Sequence, residues 1–148
     1  MRYANVKDAD GFQPPVPDGS YIVRVDEIRD ADKDGNALKD KNGLPYVWIV
    51  FRVDGQFGKV WDMMYPDPKP DWTSYGPRSA RLKEFLTAIR VPLDGGDTDD
   101  WVGKKCRAKI AIEDYKGRDK NRIEFYEPIE SPAAARESFK GDDENLPF

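Results

Sequence analysis

The fold class is decided by residues 46–65, YVWIVFRVDGQFGKVWDMMY. Apolar residues at positions 47, 49, 51 and 53 alternate with the other side chains, which is the pattern of a strand with one buried face. Asp54-Gly55 is typical of a tight turn between two strands. After the turn, Val60, Asp62 and Met64 lie on one face, and the opposite face carries Lys59, Trp61, Met63 and Tyr65. We therefore predict a hairpin of two strands, 46–53 and 57–64.

Three more strands and one helix surround this hairpin. A strand that starts at Ser20 alternates apolar Tyr21, Val23 and Val25 with Arg24. Residues 79–89 have apolar residues at helical spacing, and a strand follows at 104–113. Its inward residues are predicted to be Cys106, Ala108, Ile110 and Ile112, and its outward residues Lys105, Arg107 and Lys109. A last strand at 121–127 should place Ile123 and Phe125 inside, with Arg122, Glu124 and Tyr126 outside.

The order is three strands, one helix and two strands, which predicts an all-β protein. This order of elements resembles a five-stranded OB-fold barrel with one helix between strands 3 and 4. The pattern alone also permits another small barrel or a sandwich. A chain of 148 residues suits a single domain, which we assign to residues 19–130. Residues 1–18 are an extended N-terminal lead-in, and 131–148 form a disordered or extended acidic C-terminal tail.

Composition excludes several classes of protein. The sequence has no histidine and a single cysteine, which removes Ser-His-Asp triads, Cys-His pairs and most zinc sites. We therefore expect a non-enzyme without a cofactor, and a small buried role for Cys106. No apolar run approaches the length of about 20 residues that crosses a bilayer, and the N-terminus lacks an apolar signal region. These features predict a cytoplasmic protein with no membrane partner.

The last seven residues, DDENLPF, combine three carboxylates, an apolar Leu-Pro-Phe and the chain terminus. A terminal aromatic ring beside acids suits a greasy pocket with a cationic rim on a partner protein. The tip resembles the C-terminal peptide of bacterial and phage single-stranded DNA-binding proteins, an acidic run closed by Ile-Pro-Phe. Leu146 stands for the isoleucine, and Asn145 interrupts the acids. The partner-binding residues implied are Asp142, Asp143, Glu144, Leu146, Pro147 and Phe148.

This resemblance implies binding of single-stranded DNA without sequence preference. It places the protein in DNA replication, recombination and repair in a bacteriophage or its bacterial host cell. The tail would recruit replication, recombination and repair enzymes of host or phage. A homo-oligomer is compatible with the resemblance. In some relatives the tail also covers the empty DNA groove.

Single-stranded DNA requires cations for its phosphates and flat rings for its bases. The net charge of −4 gives no overall basicity, and the tail accounts for −2 of it, so a binding site must come from local clustering. The outward strand positions and the basic loop at 115–120 supply the candidates. They are Arg24, Tyr46, Trp48, Arg52, Lys59, Trp61, Arg107, Lys109, Lys116, Arg118, Arg122 and Tyr126. A slip of one residue in register would exchange the faces and bury the rings.

Other interpretations stay open. An OB module that binds only proteins would cover the outer rings with a partner or with another subunit. A metal-dependent nuclease, or its inhibitor, would require clustered buried acids. Residues 30–35, DADKDG, match the opening of an EF-hand loop, but position twelve is Lys41 instead of the required glutamate. We therefore interpret this segment as a strand connection closed by Asp-Gly turns, with no metal site.

Overall fold

The alternating stretches fold into the five antiparallel strands that the sequence predicts. The computed structural model describes residues 1–5, 15–68 and 75–129. A short 3₁₀ helix at Thr98–Trp101 precedes the fourth strand. The remaining elements are β1 (Gly19–Arg29), β2 (Val47–Val53), β3 (Lys59–Met64), α1 (Tyr75–Ala88), β4 (Lys105–Tyr115) and β5 (Arg118–Glu127).

The strands lie in the order β3-β2-β1-β4-β5, and each neighbouring pair is antiparallel. The sheet curls into a nearly closed barrel with α1 between the third and fourth strands, so the predicted OB-like fold is confirmed. β3 and β5 face each other across the remaining gap, and α1 packs there.

The core is formed by the inward residues of the strands together with Phe85 of α1. Its largest fully buried side chains are Phe51, Phe85, Ile49, Met64 and Ile110. Val60 and Met64 are buried while Trp61 and Met63 are 42% and 39% exposed, so the predicted faces of β3 are confirmed. Cys106 is buried as predicted, and its burial raises the pKa of the thiol to about 12.

The predicted faces of β5 are wrong beyond Ile123. Phe125 is 36% exposed and Tyr126 only 3%, the reverse of the expectation. The register explains the change, because Lys109 pairs with Phe125 while the adjacent Ile110 pairs with Ile123. Glu124 is thus an extra residue in β5, and such a bulge inverts the alternation beyond it. The phenol of Tyr126 enters the core, where its ring centroid lies 5.1 Å from that of Phe85.

Two further expectations need correction at the far end of the β4–β5 hairpin. Ile112, predicted to face inward, is 38% exposed, because the pairing of β1 with β4 stops at Ile110 and the hairpin continues past the barrel. The predicted loop at 115–120 is a two-residue turn, since β4 ends at Tyr115 and β5 begins at Arg118. Lys116 and Gly117 both have positive φ angles there, 55° and 78°.

Part of the predicted lead-in packs against the barrel. Val16 is 3% exposed, and its backbone exchanges two hydrogen bonds of 2.8 Å with the side-chain amide of Asn121. Residues 6–14 and the predicted tail at 131–148, with its partner-binding tip, lie outside the described residues. Within the part that is described, no helix is long and apolar enough to cross a membrane.

Candidate nucleic-acid interface

Four cations lie in one row across the outer face of the sheet. In the register of the sheet, Lys59 of β3 is directly opposite Arg52 of β2. Arg52 is opposite Arg24 of β1, and Arg24 is opposite Lys105 of β4. Residues that are directly opposite in adjacent strands point to the same face, and neighbouring strands lie about 4.8 Å apart, so the row spans about 14 Å. We call Lys59, Arg52, Arg24 and Lys105 the cation row. Such a line of positive charge suits an anionic polymer.

A carboxylate sits within this row. The ladder between β1 and β2 skips Asp26, because Val25 pairs with Phe51 and Glu27 with Val50. Asp26 lies on the same face as Arg24, two residues earlier, and its carboxylate lies 2.9 Å from Nζ of Lys59 and 3.9 Å from Nε of Arg52. The hydrogen bond from Lys59 is the main cause of a lowered pKa at Asp26. Asp26 is therefore ionised at neutral pH.

Four aromatic rings lie beside the cation row on β2, β3 and the residues that flank them. The centroid of Trp48 lies 6.1 Å from that of Trp61 and 6.0 Å from that of Tyr46, and Tyr46 lies 6.3 Å from Tyr65. We call these four side chains the ring cluster. Trp61 is the most exposed, and the other three are half-buried. None of the four belongs to the hydrophobic core, so the cluster is a surface feature.

Each outer ring of the cluster carries an arginine. The guanidinium carbon of Arg29 lies 4.8 Å from the centroid of Trp61, and that of Arg78 lies 4.0 Å from the centroid of Tyr65. Both distances are within the range of a cation–π interaction. Glu27 holds Arg29 through two contacts of 3.1 and 3.2 Å. The ring cluster thus has an arginine at each end, and each arginine is paired with a carboxylate, Glu27 or Asp40.

The connection between β1 and β2 supports the ring cluster through Asp40. Oδ1 of Asp40 accepts hydrogen bonds from the backbone N–H groups of Asn42 and Leu44, and Oδ2 accepts one of 2.9 Å from the hydroxyl of Tyr65. The bond from Leu44 is the main cause of a lowered pKa at Asp40, while burial is the main cause of a raised pKa at Tyr65. Asp40 therefore fixes the orientation of this ring.

The segment that matches an EF-hand opening forms a similar turn. Oδ1 of Asp32 accepts hydrogen bonds of 2.9 Å from the backbone N–H groups of Asp34 and Asn36, as in an Asp-Gly turn closed by Gly35. Among the described residues, no group of three histidine, cysteine or acidic side chains is placed to hold a metal ion.

The structure brings half of the predicted site residues together. Arg24, Tyr46, Trp48, Arg52, Lys59 and Trp61 lie in the cation row or the ring cluster. On the same face of β4, Arg107 and Lys109 pair with Ile22 and Ser20 of β1, which places them next to the row.

The other predicted residues lie elsewhere. Arg122 forms ion pairs with Glu113 at 2.8 Å and with Glu124 at 3.9 Å. Lys116 lies in the far turn of the hairpin and Arg118 follows that turn, about 35 Å from Lys105 along strands that rise about 3.3 Å per residue. Tyr126 is buried and was wrongly assigned to the binding surface.

Several residues of the site were missing from the predicted set. Tyr65 and Lys105 were predicted to face outward, so strand alternation already indicated them. Arg29 follows the bulge at Asp26, and Arg78 comes from the helix, so both reach the rings through contacts that no local pattern predicts.

No known protein-family model matches this sequence. A search of curated proteins found no significant relative. Function is therefore inferred from the fold and from the geometry of the outer face.

Proposed function

We propose that this protein binds single-stranded DNA without sequence preference and protects it during replication, recombination and repair in a phage or its bacterial host. The observation that supports this proposal is the position of the ring cluster beside the cation row on one exposed face. Rings and cations in one surface are the two components that unpaired nucleotides require.

The rings supply the stacking energy. A base stacked on an aromatic side chain contributes about 1–3 kcal/mol, and every base has a flat face, so stacking carries little sequence information. In duplex DNA the base faces are covered by their neighbours. The ring cluster therefore favours unpaired strands over duplexes.

The cation row supplies the attraction to phosphate. Single-stranded DNA releases about 0.7 counterions for each phosphate that a protein neutralises, so binding should weaken steeply with salt. The row is short, and one of its neighbours is the carboxylate of Asp26. We therefore expect stacking and charge to act together, with neither sufficient alone.

The C-terminal tip has a separate role in this proposal. The carboxylates of Asp142, Asp143 and Glu144 carry charge opposite to that of the cation row, and with the ring of Phe148 they suit a basic-rimmed apolar pocket on replication or repair enzymes. The body would hold the strand while the tip recruits the enzyme. Deleting residues 142–148 should leave or increase affinity for DNA and abolish capture of the partner.

Tryptophan fluorescence tests the proposal directly. We expect oligo-dT of twelve nucleotides to quench the emission, and the affinity of the protein for it to fall steeply between 50 and 200 mM salt. Trp48→Leu and Trp61→Leu should each weaken binding about 5-fold or more, the lower end of one lost stacking contact. Tyr3→Leu, which removes an exposed ring near the N-terminus, is the matched control and should bind normally. An intact protein that gives no response to micromolar oligo-dT would refute the proposal and favour the interaction module.

A further inference from the structure

Tyr65 and Arg78 continue the candidate interface toward the start of α1. Tyr65 is the ring of the cluster farthest from the cation row along β3, because it follows Lys59 by six residues, a distance of about 20 Å in a strand. Its centroid is 6.3 Å from that of Tyr46, so the ring surface is continuous up to this point. The site thus has a second end away from the cation row.

Arg78 gives this second end a positive charge. Its guanidinium carbon lies 4.0 Å from the centroid of Tyr65, the shortest of the arginine-to-ring distances at the cluster. A guanidinium plane is itself a surface on which bases stack, and its N–H groups bind phosphate in a fork. One side chain can therefore offer both contacts that a nucleotide needs.

Asp40 holds this pair in position before any ligand arrives. It accepts the hydrogen bond from the hydroxyl of Tyr65 at 2.9 Å and lies 4.0 Å from Nη2 of Arg78. Asp40 is fixed in turn by the backbone N–H groups of Asn42 and Leu44. A group that is already ordered loses less conformational entropy on binding.

From this geometry we infer that Tyr65 and Arg78 bind one further nucleotide of the single strand. The base stacks on the Tyr65–Arg78 pair, and the guanidinium binds the adjacent phosphate. The inference rests on the proposed function, and it assigns a role to two residues outside the set predicted from the sequence. A DNA strand lying along β3 would then bind to the cation row at one end and to Arg78 at the other, with the rings between them.

Two pairs of variants of the full-length chain test this inference through their binding to a fluorescein-labelled oligo-dT of twelve nucleotides. Tyr65→Leu removes the ring, whereas Tyr65→Phe removes only the hydrogen bond to Asp40. Arg78→Gln removes a cation at the site, whereas Lys83→Gln removes an exposed cation elsewhere on α1. Thermal unfolding of each variant verifies that the barrel is intact.

We expect Tyr65→Leu to weaken binding about 10-fold and Tyr65→Phe less than about 3-fold, since the ring provides the stacking. Arg78→Gln should weaken binding about 5-fold and reduce its dependence on salt, while Lys83→Gln should change neither. Wild-type affinity in a folded Tyr65→Leu protein would overturn the inference, as would equal effects of the two glutamine variants. Failure of the wild-type protein to bind oligo-dT would instead overturn the proposed function itself.

Discussion

Nη2 of Arg81 donates a hydrogen bond of 2.8 Å to Oδ2 of Asp62, which joins α1 to β3. The same guanidinium donates to the carbonyl oxygens of Ile123 and Glu124 on β5, at 2.9 and 3.1 Å. One side chain therefore joins β3 and β5, the two edge strands, which do not pair with each other. The hydroxyl of Tyr126 completes the network by donating to Asp62. Barrel closure here depends on a charged side chain as well as on apolar packing.

Replacing Arg81 should open this end of the barrel. Arg81→Leu leaves the partly buried carboxylate of Asp62 without its cation, and losing hydrogen bonds to a charged group in this way should lower the free energy of unfolding by about 1.5–3 kcal/mol. Urea denaturation would measure the loss. Lys83→Leu, at an exposed position of the same helix, should change the stability by less than about 0.5 kcal/mol. A loss below about 1 kcal/mol for Arg81→Leu would mean that packing alone closes the barrel.

Asp62 should make stability depend on pH in an unusual direction. Burial raises the pKa of this carboxyl above 3.8, in spite of its contact with Arg81. The native state therefore takes up a proton at a higher pH than the unfolded state does, and Asp62 favours folding more as the pH falls. This gain in stability develops as the pH falls from the raised pKa of the native state to about 3.8, the pKa of the unfolded state.

The comparison with Asp62→Asn isolates this effect from general acid denaturation. The free energy of unfolding of the wild-type protein, relative to the variant, should increase as the pH falls from 7 to 4. Urea titrations at several pH values would measure it. A difference that is constant, or that shrinks with falling pH, would show that the pairing with Arg81 outweighs the burial of Asp62.

Removing the carboxylate of Asp26 should strengthen binding of single-stranded DNA. Asp26 pairs with Lys59 and approaches Arg52, so a phosphate must compete with it for these cations. We expect Asp26→Asn to raise the affinity for oligo-dT several-fold. The slope of its salt dependence should steepen by about 0.7 for each additional phosphate that the freed cations neutralise.

Asp94→Asn gives the same change of net charge at an exposed position of the loop after α1, and it is the matched control. It should bind as the wild-type protein does. If both variants bind more tightly to the same extent, overall charge and not the carboxylate in the cation row explains the effect.

The turn between β4 and β5 should be stabilised by Lys116→Asn. Lys116 and Gly117 have φ angles of 55° and 78°, the signs that a type I′ turn requires, and Asn-Gly is the preferred pair for this turn. We expect the free energy of unfolding to increase by about 0.5–1 kcal/mol, because lysine is strained in the left-handed region and asparagine tolerates it better. Thermal unfolding would measure the increase, and a decrease would mean that other contacts of Lys116 matter more than the strain.

The hairpin of β2 and β3 was predictable because its information is local. Alternation with an Asp-Gly turn indicated the two faces, and Trp61 is exposed as that pattern requires, whereas Val50 on the same face is buried. The end of β5 was not predictable, because the bulge at Glu124 arises from its pairing with β4. One extra residue moved Tyr126 from the expected binding surface into the core.

The candidate site was predictable in its rings and most of its cation row but not in its supports. Tyr46, Trp48 and Trp61 follow from strand alternation. The contact of Arg78 with Tyr65, and the hydrogen bond from Tyr65 to Asp40, join segments that are 13 and 25 residues apart in the chain. Such contacts depend on how the helix and the long connection dock, which a periodic pattern does not encode.

The indole N–H signals of the tryptophans in a ¹⁵N-labelled protein provide the most direct test of the central claim. Trp48 and Trp61 belong to the ring cluster, whereas Trp101 is 6% exposed and packs against Phe85 in the core, so it serves as an internal control. On titration with oligo-dT of twelve nucleotides, we expect the signals of Trp48 and Trp61 to shift and that of Trp101 to stay in place. Unchanged signals from Trp48 and Trp61 at saturating oligonucleotide would contradict the account.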